Sequence, residues 1–155
     1  MQKNVIIEGS RMKKIIILIS VVIIIIATIT INYIDYIKEH NEVLKYNLEF
    51  ENNYQKEIYG IDLTTIINKV INNNEKNNVE IGQDNRYISN NNNSINVDIQ
   101  MIDDNNKVYP MELLYNGGME NFVQYYGNIK FKCTKIEYHK ETEKVKYLYF
   151  EQVSK

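Results

Sequence analysis

The chain has 155 residues, with 18 Lys and Arg against 20 Asp and Glu and a formal charge of −2. Affinity for phosphate comes largely from clustered cationic side chains, so this balance excludes nucleic acid as an expected partner. Once an apolar segment and its leader are set aside, roughly 100 residues remain, enough for one modest core. Asn, Ile, Lys and Tyr dominate, Trp is absent and Pro110 is the only proline; AT-rich coding produces this bias. Cys133 is the only cysteine, which excludes an intrachain disulfide and a zinc site built on paired thiolates. It shares strand spacing with Ile129 and Phe131 and reads as a buried apolar residue, with a reactive thiol and intermolecular pairing as the alternatives.

Residues 1–14 read as a cytoplasmic basic leader. Met12-Lys13-Lys14 resembles the start of many bacterial anchors, and Glu8-Gly9-Ser10-Arg11 can be encoded by a purine-rich, ribosome-binding-like stretch. Residues 1–11 are therefore weighed as a misassigned start, with Met12 as the alternative to Met1. The apolar run from Ile15 to Ile34 follows. At 1.5 Å per residue it reaches about 30 Å, the thickness of a bilayer's hydrocarbon core. It is longer than a cleaved signal's apolar region, and Ala27-Thr28-Ile29 is a poor cleavage site, so an uncleaved transmembrane helix is expected with the lipid bilayer as its partner. Arg11, Lys13 and Lys14 precede the run, whereas Asp35, Lys38, Glu39 and Glu42 follow it. The positive-inside bias then places the N-terminus in the cytoplasm and residues 35–155 outside it as an extracytoplasmic domain.

Ile34, Ile37, Leu44 and Leu48 recur at helical spacing past the run, predicting that the membrane helix continues as an amphipathic stalk. The domain's own sheet is expected to cover this stripe; a neighbouring copy is the alternative. Gly60 breaks the chain, and Leu63, Ile66, Ile67, Val70 and Ile71 form a second helical face, capped by Asp62 and ended by Asn72-Asn73-Asn74. Residues 72–94, with the run Asn90 to Asn93, read as a surface linker with a short strand near Tyr87-Ile88.

Ile95, Val97, Ile99 and Met101 alternate with polar residues as a strand does, Asp103 to Asn106 form a turn, and Tyr109, Met111, Leu113 and Tyr115 carry the return strand. Pro110 donates no ladder hydrogen bond and belongs at an edge. Asn116-Gly117-Gly118 launches a short helix with Met119, Phe122, Val123 and Tyr126 inward and Gly127 closing it. Two further strands, Ile129–Tyr138 and Lys144–Gln152, are joined by a hairpin. The expected fold is α+β: the transmembrane and stalk helix, a second helix, and a four-stranded, largely antiparallel sheet with a short inserted helix.

No catalytic, cofactor-binding or metal-ligating residue can be named, and no enzyme is expected. Gly117-Gly118 lacks the spacing and lysine of a phosphate-binding loop. His40 and His139 read as solvated surface residues. Asp103 to Asn106 lack the alternating ligands and central glycine of a calcium loop, and no Ser or Thr has a base in reach. The tyrosines, thirteen in all, suit a partner interface. Tyr147 and Tyr149 fall on one face of the last strand and Leu148 and Phe150 on the other, which predicts cover on both sides.

Two resemblances follow. Residues 59–69 (Tyr-Gly-Ile-Asp-Leu-Thr-Thr-Ile-Ile-Asn-Lys) and 131–138 (Phe-Lys-Cys-Thr-Lys-Ile-Glu-Tyr) resemble a group of small, uncharacterised single-pass membrane proteins of low-GC Gram-positive bacteria, which implies location but no activity. The membrane helix that continues into a domain and packs on a sheet is similar to type IV pilins and pseudopilins, although their leader-peptidase signature is missing. The functional expectation is a surface-exposed, non-enzymatic structural or accessory protein acting through a protein partner or self-association. The alternative is an extracytoplasmic ligand-binding or sensing module working with a partner.

Overall fold

The structure is a computed structural model that describes the backbone of residues 2–153 and the side chains from Arg11 to Val153. The leader residues 1–10, on which the choice between Met1 and Met12 turns, lie outside the described side chains. The chain divides into two compact units, Met1–Glu42 and Val43–Lys155.

The first unit is helical and belongs to α1 (Gln2–Glu51). Its apolar side chains from Ile15 to Ile34 are exposed. The hydroxyls of Ser20, Thr28 and Thr30 donate to the carbonyls of Ile16, Ile24 and Ile26 at 2.8–2.9 Å. These three hydroxyls are thereby satisfied within the helix itself. By length and composition this helix is suited to cross a membrane.

The second unit is α+β. After the last turns of α1 come β1 (Glu57–Tyr59), α2 (Gly60–Lys76), β2 (Asn96–Met101), a 3-10 turn (Ile102–Asp104), β3 (Lys107–Pro110), α3 (Met111–Asn116), α4 (Met119–Tyr126), β4 (Lys130–Tyr138) and β5 (Val145–Gln152). The sheet order is β1-β4-β5-β2-β3. Neighbours are antiparallel except β2 and β5, which run parallel with Val97 beside Leu148 and Ile99 beside Phe150. The sheet is thus five-stranded and mixed, where four largely antiparallel strands were expected. The β4–β5 hairpin was foreseeable because a hairpin connection is local. The central parallel pairing joins segments about fifty residues apart and leaves no periodic trace.

Two boundaries also differ from expectation, for local reasons. β1 was missed because it has three residues, two of them exposed. The return strand ends at Pro110, and the alternation through Met111, Leu113 and Tyr115 lies on a helix: Met111 is buried, Leu114 packs on the core, and Leu113 and Tyr115 are exposed. Pro110 does sit on the edge strand, as its missing N–H requires.

The core lies between the sheet and α2. Leu63, Ile67 and Val70 are wholly buried, as are Val97, Ile99 and Phe131 opposite, with Leu148 and Phe150 nearly so. Each such side chain contributes about 1.5–3 kcal/mol relative to exposure. Gly60 opens α2 where a Cβ would stand 2.0 Å from the Tyr126 carbonyl oxygen, an approach that lets its N–H donate to Ile129 O at 2.8 Å. Asp62 is exposed in the first turn and does not cap, since Tyr59 holds the N-cap without a side-chain bond. Nor does the asparagine run end α2, which continues to Lys76 with Asn74 buried.

Candidate interaction surfaces

Within the second unit, the last turns of α1 meet the domain through Val43, Tyr46, Asn47 and Phe50. The Asn47 side chain fixes the helix rotation. Its Oδ1 accepts from the Val145 N–H at 2.9 Å, and its Nδ2 donates to Glu143 O at 2.8 Å. The Tyr46 hydroxyl donates to Asn73 Oδ1 at 3.0 Å, and burial, then Glu49, raises its pKa. This face is one residue away from the expected stripe. A one-residue offset turns a helix by about 100°, so Leu44 and Leu48 point away from the domain and are 47% and 50% exposed. Their expected burial on the sheet is corrected: an asparagine occupies the inward position that periodicity reserves for an aliphatic residue.

The Asn-rich stretch past α2 is a largely exposed connection, as expected, but one ordered by hydrogen bonds. Asn74 bonds both backbone groups of Ile95, donating to its carbonyl at 2.7 Å and accepting from its N–H at 2.8 Å. Asn90 Oδ1 accepts from the N–H groups of Asn92, Asn93 and Ser94 at 2.9–3.0 Å. Asn73 Nδ2 donates to Asn93 O, and Asn93 Nδ2 to Asn77 Oδ1. Side-chain amides that satisfy backbone groups locally give an ordered connection without apolar content. Near Tyr87-Ile88, where a short strand was expected, Tyr87 forms a single bridge to Ile81 and donates its N–H to the buried Glu112 carboxylate at 2.9 Å.

A second exposed apolar region surrounds α3 and α4. Leu113 and Tyr125 are 55% and 72% exposed, beside a shallow 210 Å³ groove that also involves Gly117, Gly118 and Phe122. A flat 430 Å³ depression borders Met119, Val123 and Thr64. Gly118, at φ 92°, takes the left-handed conformation that the turn between the two helices needs.

A charged cavity of about 410 Å³ lies at the end of the β4–β5 hairpin, lined by Asn91, Glu137, His139, Lys140 and Lys146 among others. His139, expected at the surface, is buried with its Nε2 2.8 Å from Ser94 O; His40 is exposed and stacks on Tyr36. Cys133 is buried, and burial pushes its thiol up to about 11, which leaves it in the unreactive thiol form at neutral pH. Asp103 and Asp104 accept from Gln152 Nε2 and the Tyr109 hydroxyl, while Asn105 and Asn106 supply the left-handed turn. No group of three or more His, Cys, Asp or Glu able to hold a metal occurs among the described residues.

On the sheet face away from α2, Asp98 receives Arg86 Nη2 at 2.8 Å and the Tyr147 hydroxyl at 3.0 Å. Burial, then the Asp98 charge, raises the Tyr147 pKa. Tyr147 and Tyr149 are half-buried and Leu148 and Phe150 fully buried, so the cover expected on both sides of β5 is complete on one only. Sequence reasoning missed the Arg86–Asp98–Tyr147 cluster, because its members come from three separate segments. Comparison with known proteins gives no matching family model, no matching curated protein and no matching solved structure.

Proposed function

We propose that the chain is a membrane-anchored, surface-exposed accessory protein that acts by protein association rather than by catalysis. One observation carries this reading: α1 keeps Leu44 and Leu48 out of a domain whose other large aliphatic helix residues are mostly packed inside. An apolar helix face held in water gains from a protein partner. The anchor is Ile15–Ile34, with the basic leader inside the cell and the α+β domain outside it, an arrangement similar to the membrane-held subunits of pilus-like systems.

A Gln83→Cys, Cys133→Ser variant in intact cells should react with a membrane-impermeant thiol reagent; labelling only after lysis would overturn the orientation. The gently solubilised native chain should run larger than one copy, and Leu44→Asp with Leu48→Asp should reduce it to one. Identical sizes would refute association through this face.

A second reading, a ligand-binding module, is favoured by the hairpin cavity, whose 410 Å³ volume falls within the range of small-molecule sites. Its lining is charged rather than apolar and aromatic, which places it second.

A further inference from the structure

We infer that the partner of the exposed α1 face is a second copy of this chain, aligned parallel in the same bilayer; this rests on the association reading above. In sequence, Ile34, Ile37, Asn41, Leu44 and Leu48 follow steps of three and four, the a and d positions of a heptad repeat. Within the second unit, α1 packs through Val43, Tyr46 and Phe50 at c and f, away from Leu44 and Leu48, and through Asn47 at g, which borders them. The fold therefore leaves the a and d residues Leu44 and Leu48 exposed for a coiled-coil partner.

Two further observations identify the occupant. Extended toward the N-terminus, the same a and d positions fall on Ile16, Ser20, Ile23, Ala27 and Thr30, so three of the four small residues in the apolar run lie on the seam. Small residues let membrane helices approach closely where no hydrophobic effect drives them together. Asn41 occupies an a position, and a single asparagine there is the best-attested device for fixing register and a two-stranded state.

Charge then selects the orientation. Lys38 and Lys45 are the e residues, and Tyr33, His40 and the domain-bound Asn47 the g residues. An antiparallel pair would set the lysines of the two copies against each other, whereas a parallel pair sets lysine beside tyrosine and histidine. Two copies anchored in one membrane present the seam in that parallel sense, as a two-fold, self-complementary interface requires.

Cysteine cross-linking of the full chain in its membrane tests this, in a Cys133→Ser background. Under mild oxidation Ile37→Cys, Leu44→Cys and Leu48→Cys should each give disulfide-linked dimers severalfold above Glu42→Cys and Glu49→Cys, and Asn41→Ile should shift the dimer toward larger assemblies. Should Cys133→Ser fold poorly, the same series with the buried Cys133 retained gives the same comparison. Equal dimer at all five positions would reveal random collision and overturn the proposal. Seam cysteines that link only to a different protein would overturn self-pairing while leaving the association reading intact. Seam cysteines that link to nothing would overturn both.

Discussion

Two helices face the same domain and treat their aliphatic residues differently. α2 buries Leu63, Ile66, Ile67, Val70 and Ile71, whereas the last turns of α1 bury Asn47 and leave Leu44 and Leu48 exposed. The first pattern is that of a core helix, whose apolar face exists to fold the domain. The second separates folding from the apolar stripe: α1 is held by Val43, Phe50 and the Asn47 amide, and its leucines stay outside the core.

The largest effect that would sharpen this contrast is expected in α2. Ile67→Ala should cost about 2–5 kcal/mol, because a wholly buried side chain leaves a cavity among close-packed neighbours. Thermal or chemical denaturation of the full chain in detergent checks it, and a loss below about 1 kcal/mol would break the view of α2 as the core helix.

Next come the asparagine clamps. Asn74→Ala strips the Ile95 N–H and carbonyl of partners in a buried site, and each group left unpaired costs about 1–3 kcal/mol. Asn47→Ala should act similarly at Val145 and Glu143, with a smaller effect because that site is partly exposed. If either variant melts like the native chain, the amide is not what fixes that helix on its strand.

Alkaline pH gives a gentler test, through the buried Cys133 and the partly exposed Tyr138. Cys133 is raised from 9.0 to about 11 and Tyr138 from 10.0 to about 12, in both cases first by burial. Each group is favoured in its neutral form in the folded state. Their contributions are therefore intact below pH 9 and are lost as pH rises, from about 9 to 11 for the thiol and from about 10 to 12 for the phenol. Melting temperature should fall above pH 9, with a shallower fall in Cys133→Ala between 9 and 11. An unaltered slope in that variant would contradict the thiol's part.

The sequence made legible whatever depends on local period. The apolar run, the α2 face, β2, the β4–β5 hairpin and the α4 helix all follow from spacings of two or 3.6. What stayed hidden depends on partners distant in the chain or on polar atoms doing a core residue's work. The β2–β5 pairing is long-range, and the loop at Asn90 to Asn93 is ordered by side-chain amides that composition reads as solvated. Asn47 hid the rotation of α1 because an inward polar residue shifts the apparent stripe onto Leu44 and Leu48. His139 was misplaced for a similar reason, since its charged sequence neighbours gave no sign of the Ser94 carbonyl that holds it.

The smallest stability effect decides the central claim, that the leucine face of α1 is not part of the domain's fold. The full-length Leu44→Ala, Leu48→Ala double variant should unfold within about 0.5 kcal/mol of the native chain per substitution, as exposed positions do. In the same sample its association should weaken. A cooperative transition lowered by several kcal/mol, comparable with Ile67→Ala, would show that the leucines belong to the core after all and would contradict the account.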